Sequence, residues 1–111
     1  MKIIFFILFL VIGINAFANV DVLPLEEFVS KVLGVSIEKF KVKIEVSDVN
    51  RAYYSLDRNT ICLPKNYTQE MLVHELTHAI LQHHYPYMLS EKTQEILAKY
   101  SEYVYVRIKD N

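Results

Sequence analysis

Behind the single positive charge of Lys2, the chain opens with an almost unbroken apolar run, Ile3–Ile14. Further along, apolar and polar positions alternate with the periods of helices and strands. Pro24-Leu25-Glu26-Glu27 has the proline and acids of a helix first turn; Val29, Val32 and Leu33 give that helix an apolar face, and Gly34 stops it. Phe40 to Val46 alternates apolar and charged residues, the pattern of a half-buried strand. Ala52–Leu56 and Thr60–Pro64 flank Asp57-Arg58-Asn59, which predicts a β-hairpin whose second strand is closed, or marked as an edge, by Pro64. Thr68 caps a helix from Gln69 to about His84; Pro86 ends it and places Tyr85 outside helical geometry. Ser90 caps a last helix to about Ile108. Its predicted apolar face is Ile96, Leu97, Tyr100, Val104 and Ile108, with Glu95 beside that face pointing inward and Lys99 and Glu102 spreading to solvent. Helix, three strands, helix, helix predicts a small α+β domain with an antiparallel-type sheet.

The apolar run changes the picture at the N-terminus. It is short for a bilayer span, which needs roughly 20 residues, and Ala16-Phe17-Ala18 follows it with the small residues of a cleavage site. That order predicts a signal peptide over residues 1–18, cut near Ala18, and an exported domain, periplasmic or secreted, over residues 19–111. An uncleaved N-terminal membrane anchor is the alternative. The 111 residues allow one domain, and a core of that size leaves room for a bound metal to contribute to folding. The formal charge is −1 for the whole chain and gathers into no basic patch, which argues against a nucleic-acid partner. Cys62 is the only cysteine, so no intramolecular disulfide forms; within Ile61-Cys62-Leu63 it is expected to be buried.

The chemistry concentrates in His74-Glu75-Leu76-Thr77-His78, an H-E-x-x-H sequence inside the second predicted helix. Residues four apart on a helix lie one above the other, so both imidazoles reach one metal ion from the same face. Glu75, rotated by roughly 100° from His74, is placed to act on a metal-bound water as the catalytic base. Met71, Leu72, Val73, Leu76, Ala79 and Ile80 surround the motif without charge, as a helix inside a domain requires.

Two histidines leave the ligand set incomplete. Glu95 qualifies because the turn at Tyr85–Leu89 folds the last helix back across the preceding one. His84 qualifies by spacing, six residues after His78, where H-E-x-x-H-x-x-G-x-x-H places its last histidine. Against His84 stands Leu81 at the glycine position, where the chain has to bend back.

The segment MLVHELTHAI resembles the active-site helix of the zincin metallopeptidases, and the preceding Thr60–Pro64 resembles the edge-strand segment before that helix. Gln94-Glu95-Ile96-Leu97-Ala98-Lys99-Tyr100 is similar to the glutamate-bearing segment of the gluzincin branch, with Ile96 replacing its glycine. The short distance between the two parts resembles the minimal single-domain minigluzincins. The resemblance implies a zincin-like fold, zinc bound by His74, His78 and Glu95, Glu75 as base, and a peptide or protein substrate. It also leaves unfilled a transition-state-steadying Tyr or His that larger gluzincins take from a further domain. Tyr53, Tyr54, Tyr85, Tyr87 and Tyr103 are open candidates. The expected reaction is zinc-dependent peptide hydrolysis. The alternatives are a catalytically silent zinc-stabilised binding or regulatory module, and a latent enzyme whose cleft is filled by a partner or by the Lys109–Asn111 tail.

Overall fold

A computed structural model describes residues 14–110. Three helices and a three-stranded sheet follow one another as α1 (Ile14–Leu33), β1 (Lys43–Ser47), β2 (Tyr53–Ser55), β3 (Thr60–Pro64), α2 (Gln69–His84) and α3 (Glu91–Lys109). The α+β class is as the sequence implies, but the sheet is mixed. Its order is β1-β3-β2, with β1 parallel to β3 and β2 antiparallel to β3. The expectation of an antiparallel-type sheet is therefore corrected. The hairpin pairs Tyr54 with Ile61 as its turn dictates, while the connection after Ser47 carries the chain past the end of β3 to the opposite edge. The return strand thus runs parallel to β1. In consequence β3, buried throughout, is the central strand and not the edge that Pro64 and the resemblance implied, and β2 is an edge that packs against α2.

α1 extends further back than its predicted start at Pro24, which lies inside it. Proline there removes one intrahelical hydrogen bond without preventing the helix from continuing. The expected cleavage point near Ala18 falls within this helix, and residues 1–13 of the expected export segment lie outside the described residues. Among the described residues no helix is long and apolar enough to cross a membrane. Gly34 ends α1 at φ +70°, and its N–H and that of Val35 donate to the Ser30 carbonyl at 2.9 and 3.1 Å, a C-cap that glycine adopts without a Cβ penalty.

The core gathers on α2. Leu72, Val73, Leu76, Ala79 and Ile80 are buried against Ile61 and Leu63 of β3 and Leu25 and Val29 of α1. Thr68 caps α2 by accepting the Met71 N–H, and Tyr85 leaves helical geometry at φ −130°, ψ 64°. This frame leaves one side of α2 for α3. The face that α3 turns inward is not the predicted apolar one. Ala98 and Ser101 are fully buried, whereas Ile96, Tyr100 and Ile108 are exposed. Small side chains allow α3 to approach α2 closely, and that approach brings the carboxylates of α3 onto the histidines of α2.

Candidate metal centre

His74 and His78 lie one turn apart on the α3-facing side of α2, their rings 5.2 Å apart between centroids. Leu76 and Thr77 between them point into the core, which fixes the rotation of the helix and therefore the direction of both rings. Ser90 caps α3 through the Thr93 N–H, and the first turns of that helix place Glu95 opposite the pair. One oxygen of Glu95 is 3.2 Å from His74 Nε2 and 3.0 Å from His78 Nε2. These are the residues that can offer one ligand atom each to a common cation, with all three atoms within 4.8 Å of one another. The histidine side chains are mostly sheltered, while Glu95 is 44% exposed on the open side.

The outer ring nitrogens have partners that the sequence did not reveal. His74 Nδ1 lies 2.9 Å from Glu102 Oε1, and His78 Nδ1 lies 3.2 Å from Gln94 Oε1. Glu102, expected to spread toward solvent, instead backs the first histidine. The signal available was its spacing of seven from Glu95, two turns along the same helix face. Gln94 shows only as the neighbour of Glu95.

These contacts define a proton count. Each imidazole faces an acceptor oxygen on both of its nitrogens, yet a neutral imidazole carries one proton. With the N–H on Nδ1, directed at Glu102 and Gln94, the two Nε2 lone pairs and the Glu95 oxygen converge on one another. Three acceptors converging without a proton between them fit a cation. Outer hydrogen bonds of this kind orient metal-binding histidines and raise their basicity. The donor set of two imidazole nitrogens and one carboxylate suits zinc better than a harder ion, and cobalt or manganese less well.

Electrostatics separate the two glutamates. When the imidazoles carry a proton on Nε2 as well as on Nδ1, burial still raises Glu95, but the hydrogen bonds from His78 and His74 and their charges outweigh it and hold its carboxyl below the ordinary value. Glu75, turned to the side of the pair, is pushed up by burial and by the charge of Glu95, against the pull of His74, His78 and Arg51. It lines the same cleft as both histidines and Glu95, an open trough of about 1010 Å³ between β2 and the start of α3.

No protein-family model, curated protein or solved structure matches the chain.

His84 is not part of the cluster. It sits exposed at the end of α2 with its ring 5.1 Å from that of Tyr85, because the helix continues unbroken through Leu81. His83 likewise turns away, edge-on to Phe40 at 5.5 Å. Of the candidate tyrosines, Tyr53, Tyr54 and Tyr87 line the cleft. Tyr54 donates its hydroxyl to Asn59 Oδ1 at 2.7 Å. Tyr87, in the α2–α3 turn, is 83% exposed and held at φ +60°. Tyr85 rests beside His84, and Tyr103 accepts from Arg107 on the outer side of α3. The end of α3 stays away from the cleft: Lys109 pairs with Glu70 at 2.9 Å, near the beginning of α2.

The backing of His74 yields an expected result. Glu102→Gln keeps the size of the side chain but replaces a charged acceptor by an amide. Zinc affinity is expected to fall about 10- to 100-fold, measured by competition with a chromogenic chelator, with the far-ultraviolet circular dichroism unchanged. Equal affinity of variant and parent would show that His74 does not rely on Glu102.

Proposed function

We propose that this chain is a small exported zinc metallopeptidase of the zincin type, gluzincin-like in its ligand set, that hydrolyses peptide bonds. The observation that carries the reading is the convergence of His74 Nε2, His78 Nε2 and a Glu95 oxygen beside Glu75 on an open cleft. His74, His78 and Glu95 would hold the ion. Zinc in such a three-ligand site supplies Lewis acidity and acidifies a coordinated water to a pKa of about 7.

The remaining steps belong to the chain itself. Glu75 accepts a proton from the attacking water, whose oxygen adds to the scissile carbonyl carbon. Glu75 then returns that proton to the amine nitrogen as the C–N bond breaks, leaving one new carboxylate and one new amine. Its desolvated position suits both halves of this exchange, because burial raises the carboxyl toward the working pH. β2 borders the cleft as an edge strand, and its unpaired backbone groups can hold a substrate extended. The substrate is a peptide or an unfolded protein segment.

A mixed library of unstructured peptides, read by mass spectrometry, tests the proposal. New termini are expected with zinc added and none after chelation. Zinc bound in full with no peptide cut would favour the zinc-stabilised binding module over the enzyme.

A further inference from the structure

The outer face of α3 is open to solvent, and its composition differs from the rest of the helix. Ile96, Tyr100 and Tyr103 are 59%, 54% and 57% exposed, on the side turned away from the buried Ala98 and Ser101. Lys92, Lys99 and Arg107 stand seven and eight residues apart, so they form no run in the sequence but return to that same side every two turns. With the pitch of an α-helix the six side chains fall within an arc of roughly 100°. The three glutamates of α3 lie outside it: Glu91 and Glu95 line the cleft, and Glu102 backs His74. Asp110, the C-cap, is the only acid at the end of the stripe. Arg107 donates to the Tyr103 hydroxyl at 2.9 Å with its guanidinium 5.7 Å from that ring, and Lys99 meets Glu95 only at 3.9 Å. Lys92 stands where the stripe meets the rim of the cleft.

A separate cavity of about 320 Å³ lies between the ends of α1 and α2 and the first half of α3. Tyr100 belongs both to its wall and to the stripe. Val32, Val35, Leu81 and Leu97 are among its other walls, and no charged side chain lines it.

A face of isoleucine and tyrosine set among long cations complements a surface that is negative outside and apolar beneath. Tyrosine places its ring on the apolar side of such a boundary and its hydroxyl on the wet side, while lysine and arginine lay their methylene stems along apolar groups and extend the charge. Helices that lie in the plane of a bilayer surface carry this pattern. Two copies of the stripe pressed together would set three cations and one acid against the same set, a repulsive contact. The formal charge of −1 does not oppose docking. The molecule measures 40 × 30 × 30 Å, and at physiological salt screening acts over about 8 Å, so an approaching surface meets the cations of the stripe rather than the acids behind them.

We propose that the outer face of α3 docks the protein on an anionic lipid surface, with α3 parallel to the bilayer, Ile96, Tyr100 and Tyr103 in the headgroup layer, and an acyl chain received by the cavity beside Tyr100. The inference does not depend on the peptidase reading.

The test mixes the purified chain, as recovered after export, with vesicles of phosphatidylcholine alone and of phosphatidylcholine and phosphatidylglycerol in equal parts. The bound fraction is read by sedimentation at low and at high salt. Partition into the anionic vesicles is expected to exceed that into the neutral ones on the order of 100-fold, about five-fold for each of the three cations, and to fall at high salt. Lys92→Gln, Lys99→Gln and Arg107→Gln combined are expected to remove the preference. Lys41→Gln, Lys43→Gln and Lys65→Gln combined, three exposed cations on and beside the sheet, change the net charge equally and are expected to leave it in place. The chain has no tryptophan, so Tyr100→Trp gives a single reporter of the face itself. Its emission is expected to move to shorter wavelength with anionic vesicles and to be quenched by lipid brominated on the acyl chain. All the substituted side chains are at least half-open to solvent, and far-ultraviolet circular dichroism checks that each variant folds.

Equal partition into neutral and anionic vesicles, a preference that survives the triple substitution on α3 or is lost equally with the sheet substitutions, or a Tyr100→Trp emission that no vesicle moves would overturn the proposal. Binding of poly-glutamate with no binding of vesicles would give the face to an acidic protein instead. A dimer in sedimentation equilibrium that Ile96→Ser and Tyr103→Ser dissolve, with no vesicle bound, would give it to a second copy; either result defeats the lipid assignment.

Discussion

Glu75→Gln is expected to abolish most peptide hydrolysis while leaving zinc in place. The substitution keeps the volume and the partial burial of the side chain, and Glu75 is not one of the residues converging on the ion position. The lost function is proton transfer, since an amide neither accepts the proton of the attacking water nor returns it to the amine. A positioned general base contributes about 10²- to 10⁴-fold, so kcat should fall by that factor with KM little changed. Zinc content, measured on the same sample, should remain at one ion per chain. Full activity in the variant would remove Glu75 from the reaction; lost zinc would show that it holds the ion instead.

The second large effect is on stability. The ion position binds α2 to α3, and α3 meets α2 through small side chains and polar groups rather than a broad apolar face. Metal binding to the folded state alone stabilises it by mass action. Free zinc at about 100 times its Kd adds about 2.7 kcal/mol. For a domain of this size that raises Tm by roughly 10 to 20 °C. His74→Ala removes one nitrogen and strands the partners Glu95 and Glu102, so most of that shift should vanish. Differential scanning calorimetry with and without zinc measures both. An equal zinc shift in parent and His74→Ala would place the stabilising ion elsewhere.

The elements set by local chemistry were readable from the residues. α2 runs between the Thr68 cap and the stop before Pro86, and β3 is the predicted Thr60–Pro64 segment. H-E-x-x-H on a helix places two imidazoles on one face whatever the rest of the chain does. What escaped depends on long-range placement. The parallel pairing of β1 with β3 follows from where the connection after Ser47 crosses, which no alternation of side chains encodes.

The inward face of α3 escaped for a different reason. Hydrophobic periodicity assigns the apolar stripe to the core, but a helix that has to deliver carboxylates to a site turns its small and charged residues inward. Ile96 and Tyr100 are left outside, and Glu102 is drawn in. The choice between Glu95 and His84 was open on spacing alone. The helix that continues through Leu81 keeps His84 away, and the antiparallel return of α3 puts Glu95 across both rings.

The most direct test is an anomalous-scattering map, at the zinc absorption edge, of crystals grown with zinc. A single peak is expected, bonded at about 2.0–2.2 Å to His74 Nε2, His78 Nε2 and a Glu95 oxygen, with Glu102 and Gln94 still against the Nδ1 atoms. Zinc ordered instead at His83 and His84, or those three side chains ordered with no peak between them, would contradict it.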